Sequence, residues 1–515
     1  MALYTPAVAV RAPRREVDSM QKQTPLARLW TSPPEEESSS GEAQPRAQHY
    51  NASWRLTHTS GRQIRPHARK KTPVKPKTEI AKLPLARTVS PIFGGLATKS
   101  FSHSPSDLPA YVVDYTMNTI LPRMLVHPTT SSSAWMEAYC QNPLSFHTFN
   151  FACAVHADLA RNQIVRTRSR EVLFHKTVAI SLLNRMLANK SKDLEIVLVS
   201  VLLLAGNELD ERSVNGLAAA DVPAMHFQPH MPLCRWISVY GRMEGEPAHG
   251  AAMGLLVQQL GGLSKITMPG LADVVAFAEL MWASPRLMRP NFTCFWDMDP
   301  SILRHHRIQS SEPGMPAPGR GFFTRIPGGL PSQALTVMIR LATIDRYMAD
   351  CRSRRLQPDE EESLIATRNA IQHALLSLPA WDSLTKEERA FGNKKAYECC
   401  VQTAALYSNA VIMAFPPHLG WHVNFVQNIR SIIGSAPVEE WDNDMLDLLI
   451  WSLSVGALAN FRTPERSFFE DCLTSVLKLR RITSWPEVQS ILEEFLWSDV
   501  ACRHGAAVLW ASIRE

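Results

Sequence analysis

The sequence predicts an all-α protein: one large multi-helix domain over residues 109–515 behind a basic N-terminal arm, residues 1–108. Three observations carry this. From about Leu108 apolar residues recur at helical spacing almost to the C-terminus, and strand-like alternation is scarce. Helix start and stop signals bracket several of these stretches. The first hundred residues lack any such periodicity and are rich in Pro, Ser and charge.

Residues 1–108 read as disordered. They contain "TSPPEEESSSGEAQP", and a segment of this kind cannot bury enough apolar area to offset its ordering entropy. They also hold the basicity of the chain. Residues 1–100 carry 17 Lys and Arg against 7 Asp and Glu, a net of +10, so the remainder holds −4 of the whole chain's +6. No acid lies between Gln44 and Thr78, and the segment "RQIRPHARKKTPVKPK", residues 62–77, concentrates Arg62, Arg65, Arg69, Lys70, Lys71, Lys75 and Lys77. Prolines at 66, 73 and 76 keep its backbone extended. Clustered, extended cations of this type suit a nuclear localisation signal, with weak phosphate contact as a secondary role. A membrane-surface role wants an adjacent amphipathic helix or lipid anchor, and neither is visible.

The helical region follows in order. "SKDLEIVLVSVLLLAG" places Ser191 as candidate N-cap, acids in the first turn and Gly206 as the stop. Its apolar run is too short for a bilayer span of about 20 residues, so no membrane segment is expected. "QLGGLSK", residues 259–265, reads as a helix C-cap and turn rather than a phosphate cradle, for it lacks the later glycines and a preceding strand. "RHHR", residues 304–307, reads as a solvated turn. "SSEPGMPAPGRGFFTRIPGGLPS", residues 310–332, is a surface loop by composition. "PDEEESLIATRNAIQHALLSL" starts with acids and carries Leu364, Arg368, Ile371, Leu375 and Leu378 down one side. "AFPPHLGW", residues 414–421, stops a helix. "TPERSFFEDCLTSVLKL" offers Thr463 as cap and Pro464 at the first helical position. "SWPEVQSILEEFLW" presents a capping box, Ser484 with Glu487, followed by Val488, Ile491, Leu492, Phe495 and Leu496 on one stripe.

The chemistry-bearing residues argue against an enzyme. There is no Walker A loop, no H-E-x-x-H, no G-x-S-x-G and no G-x-G-x-x-G. The nine cysteines are scattered and never spaced C-x-x-C, which argues against a disulfide scaffold and a structural zinc site and for reduced core thiols. His147, His156 and His175 lie near Cys140 and Cys153, but the spacings match no standard zinc pattern. No catalytic, cofactor-binding or metal-binding residue is expected.

The C-terminal third resembles a known family. "LLIWSLSVGALANFRTPERSFFEDCL" and "ITSWPEVQSILEEFLWSDVACRHGAAVLW" look like the end of the fungal-specific transcription factor domain, in the branch often labelled the tachykinin family. "NPLSFHTFNFACAVHADL" is similar to its early helix, and "HGAAMGLLVQQLGGLSKI" to its central element, with His249 and Gly261-Gly262-Leu263 matching. Glu279 stands where an Asp is common. "AYECCVQTAALYSNAVIMAFPP" matches a Glu-led helix, with Val401 where an Arg is usual. "RQIRPHARKK" is similar to an Arg-x-x-Arg-x-His element before a Lys/Arg run. The resemblance covers residues 45–77 and 109–515. Many members carry an N-terminal six-cysteine zinc cluster that reads DNA; here no cysteine precedes Cys140, so those residues cannot be carried over.

The resemblance implies a non-enzymatic nuclear regulator or co-regulator of transcription. Its helical domain would contact other transcription factors or co-regulators, form a homo- or heterodimer, or respond to a small molecule. Its arm would add import and weak, sequence-independent DNA contact. The alternative is a cytosolic interaction scaffold derived from the same family.

Overall fold

The computed structural model describes residues 113–515, except 126–127, 163–169, 208–224, 243–246, 310–316, 353, 355, 391, 418–419, 462 and 515. The arm, residues 1–108 with all seven cations of the 62–77 segment, lies outside the described residues. Among those that are described there is no β-strand, and the fold is all-α.

Fifteen longer helices are labelled here: α1 (Pro128–Gln141), α2 (Pro143–Asn162), α3 (Arg170–Ala188), α4 (Leu194–Ala205), α5 (Pro247–Leu260), α6 (Leu271–Ala283), α7 (Pro300–Gln309), α8 (Ser332–Cys351), α9 (Pro358–Leu376), α10 (Lys394–Tyr407), α11 (Trp421–Ile433), α12 (Leu446–Ala459), α13 (Arg466–Arg480), α14 (Trp485–Glu494) and α15 (Asp499–Ser512). Short π- and 3₁₀-turns join several of them.

Two apolar helices organise the packing. Helix α4 is the "IVLVSVLLLA" run, and α2, α3, α5 and α6 pack around it. Helix α12 is buried along its whole length, with α10, α11, α13, α14 and α15 against it. Helices α8 and α9 join the halves: α9 touches α6 and α10, and α8 touches α10. A single apolar cluster runs from Ile120 to Leu509. A helix apolar on all sides is stable only when surrounded, which is why these two lie innermost.

Buried polar groups pin the halves together. Gln372 of α9 donates to Ser284 (3.0 Å) and Asn409 (3.1 Å), accepts from Ser408 (2.7 Å), and Asn409 donates to the Ser284 carbonyl (2.9 Å). His230 Nε2 donates to Asp345 Oδ1 (2.9 Å), Tyr407 OH to Asp345 Oδ2 (3.1 Å), and the Ser498 amide to Tyr407 OH (2.9 Å). Arg235 pairs with Asp273, which also accepts from Trp296 Nε1 (2.6 Å).

Sequence signals and structure agree at many termini and differ at some. The Ser484–Glu487 capping box is present at α14. Pro358 opens α9 with Asp359, Glu360 and Glu361 in its first turn, and Leu364, Arg368, Ile371 and Leu375 form its buried face. Gly261 and Gly262, both at positive φ, follow α5 as the expected turn. Ser191 and Thr463 do not cap: α4 begins after Asp193 and α13 after Glu465. Ser191 Oγ instead accepts from the Asp193 amide, and Thr463 Oγ1 bonds to Asn460. The local turn took each side chain before the helix could. "RHHR" lies on α7 rather than in a turn.

The Pro/Gly-rich stretch 310–332 is not simply a surface loop. Within its described part, Phe322, Ile326 and Leu330 are buried. The Phe322 ring stands edge-on to Trp451 and Phe495, each 5.2 Å away, so this stretch supplies core that periodicity does not reveal.

Candidate functional site

An apolar cavity of about 320 Å³ lies where α1, α2, α4, α5 and α6 meet the start of α11. Trp135, Phe149, Leu202, Met253, Phe277 and Trp421, one from each helix, line it. Residues 116–125 and Tyr240-Gly241 complete the wall. Two glycines permit the close approach. A Cβ at Gly250 would fall 1.6 Å from the Trp282 indole, and one at Gly241 would fall 2.6 Å from the Pro416 ring. Both positions border the cavity, so bare backbone there lets the neighbouring rings close its wall.

Burial keeps two titratable members of the wall, Cys153 and Tyr240, neutral. Cys153 and Thr116 share a 2.8 Å hydrogen bond, and burial pushes the thiol up to about 12. Tyr240 OH and His156 Nδ1 are 3.2 Å apart; burial raises the phenol and holds His156 down to about 4. The indole N–H of Trp135 goes to the Pro269 carbonyl (2.9 Å) and that of Trp421 to the Pro416 carbonyl (2.9 Å). Asn207, following the C-terminus of α4, is 2% exposed. Its Nδ2 donates to the Leu203 carbonyl (2.8 Å), which orients the amide, and its Oδ1 accepts nothing. Among the described residues no carboxylate lines the cavity, and Arg286, exposed with Asn424 at the rim, is the one that carries a formal charge. The Arg286 guanidinium lies 5.4 Å from the Trp282 ring and donates to the Trp282 carbonyl (2.9 Å).

Such a wall can bind and desolvate an apolar molecule. Among the described residues no group of three or more His, Cys, Asp or Glu is placed to hold a metal ion, and no helix is long and apolar enough to cross a membrane.

Of the histidines near Cys140 and Cys153, two meet. His147 and His175 face each other with Nδ1 atoms 3.0 Å apart, and burial lowers both, His175 to about 4. His156 points elsewhere, at Tyr240 and edge-on to Trp236. All nine cysteines are free thiols, six of them buried. His249 is buried on the cavity wall. Glu279 is buried and accepts the Asn291 and Phe292 amides at 2.6 and 3.1 Å, which anchors the strand-less segment after α6. Val401 is half-buried on α10. Sequence reasoning did not find Asn207, nor the cavity. The one local trace is an amide immediately after the Gly206 stop of the most apolar run in the chain. No family model, no curated relative and no solved structure matches this chain.

Proposed function

We propose that this protein is a nuclear regulator or co-regulator of transcription, non-enzymatic, acting through its helical domain and using other factors for DNA recognition. The sequence resemblance motivates the reading. One observation supports it most: three of the separate stretches that carry the resemblance contribute to one feature. Phe149 and Cys153 come from the early stretch, His249, Gly250 and Met253 from the central one, and Phe277 and Ala278 from beside Glu279; all line the same cavity.

The arm supplies nuclear import through Arg62, Arg65, Arg69, Lys70, Lys71, Lys75 and Lys77. Its partners are transcription factors or co-regulators, and the protein works as a homo- or heterodimer off the membrane. A fluorescent fusion tests this. The intact protein is expected in the nucleus, and the R69A/K70A/K71A triple variant in the cytosol. Cytosolic intact protein would favour the scaffold reading; a triple variant that stays nuclear would remove the import role of these residues.

A further inference from the structure

The unpaired side-chain oxygen of Asn207 and the cavity that Asn207 lines together point to a ligand. A buried acceptor without a partner costs about 1–3 kcal/mol. Folded proteins usually satisfy such groups with protein, water or ligand. Water suits this place poorly, because an ordered buried water needs two to four polar partners. The neighbouring hydroxyls and indole N–H groups are already committed: Thr116 with Cys153, Tyr240 with His156, Trp135 and Trp421 with backbone carbonyls. Beyond the buried His249 and the rim residues Arg286 and Asn424, the wall is mainly aromatic and aliphatic carbon.

We propose that this cavity is the binding site of a neutral, largely apolar small molecule with roughly a dozen non-hydrogen atoms, which donates one hydrogen bond to Asn207 Oδ1. The size follows from volume. An apolar cavity of about 150 Å³ accepts a benzene ring, and this one has about 320 Å³. The charge follows from the wall. A cation finds no carboxylate among the lining residues, and an anion finds only Arg286, at the exposed rim and away from the enclosed interior. Burying an unpaired charge is far costlier than burying a hydroxyl. The required group is a donor, O–H or N–H, because the Leu203 carbonyl fixes the Asn207 amide with its oxygen as the free end. This site does not depend on the transcriptional reading, and its test is binding to purified full-length protein.

Three probes of matched shape decide it by titration calorimetry: 2-naphthol, naphthalene and 2-naphthoate. The expected order places 2-naphthol about tenfold tighter than naphthalene, the factor one hydrogen bond of ordinary strength supplies, and 2-naphthoate weakest. In Asn207→Leu the 2-naphthol advantage should fall to about one while naphthalene still binds. Ala152→Phe and Ala278→Phe, which plug the cavity from α2 and α6, should each abolish binding of both probes with the circular dichroism spectrum unchanged. Absence of binding by any neutral probe, equal affinity of 2-naphthol and naphthalene for the unmodified protein, or 2-naphthoate binding tightest would each overturn the proposal. The probe series on the unmodified chain stands even if a variant fails to fold.

Discussion

Asp345 lies on α8 between Ile344 and Met348, both fully buried, and is itself 2% exposed. A carboxylate there is tolerated because His230 and Tyr407 donate to its two oxygens. Asp345→Ala would strand both donors in the core, so a loss of about 3–5 kcal/mol is expected as a lower urea midpoint; a loss under about 1 kcal/mol would contradict the account. His422 presents the reverse case. It is fully buried, neither ring nitrogen has a hydrogen-bond partner, and burial holds it down to about 4. His156 is likewise held to about 4. A histidine lowered on folding contributes stability above its unfolded value near 6.5. That stability falls as pH drops towards 4, because the unfolded chain binds the proton first. Between pH 7 and 5 each should cost on the order of 1–2 kcal/mol. His422→Leu should be neutral or stabilising at pH 7 and flatten this dependence; an unchanged pH slope would show that His422 does not titrate as described. At this scale the sequence was half legible. Arg368 could be placed on the buried stripe of α9, but the partners of Asp345, Asp273 and His156 lie 23 to 115 residues away along the chain. No local pattern encodes such pairings.

Helices were readable where the signal is local. The capping box of α14, the acidic start of α9 and the stops at Gly206 and after Leu260 all depend on residues within one or two turns. Ser191 and Thr463 were misread because a cap competes with turns that the same side chain can make. The 310–332 stretch was misread because burial of Phe322 depends on Trp451 and Phe495, which composition cannot see. Helix–helix contact can be tested at Gly456 on α12. A Cβ there would fall 2.3 Å from the Phe469 ring of α13. Alanine is the better helix former by about 1 kcal/mol, so propensity alone predicts stabilisation. Packing predicts the opposite: Gly456→Ala should lose about 1–3 kcal/mol in chemical denaturation. A stabilised variant would mean that the ring moves aside easily and that α12 and α13 are not tightly engaged.

For the whole molecule, the all-α class was legible because period and caps agree over most of residues 109–515. The cavity was not, because a void is a property of six helices meeting and leaves no trace in any one of them. The basic arm makes its own prediction. If about five of its cations touch phosphate, log affinity for DNA should fall against log salt with a slope near −4.5, equally for promoter and scrambled sequence. The R69A/K70A/K71A variant should reduce that slope by about three units. A hundredfold preference for one sequence at physiological salt would reveal a base-reading element elsewhere in the chain. The central claim is that the helical domain regulates transcription through partners. Its most direct measurement is a tethering assay: the full chain fused to an unrelated DNA-binding module at a reporter promoter. The account predicts a severalfold change in reporter output relative to the module alone, in either direction. Output indistinguishable from the module alone, with the fusion present in the nucleus at the same level, would contradict it.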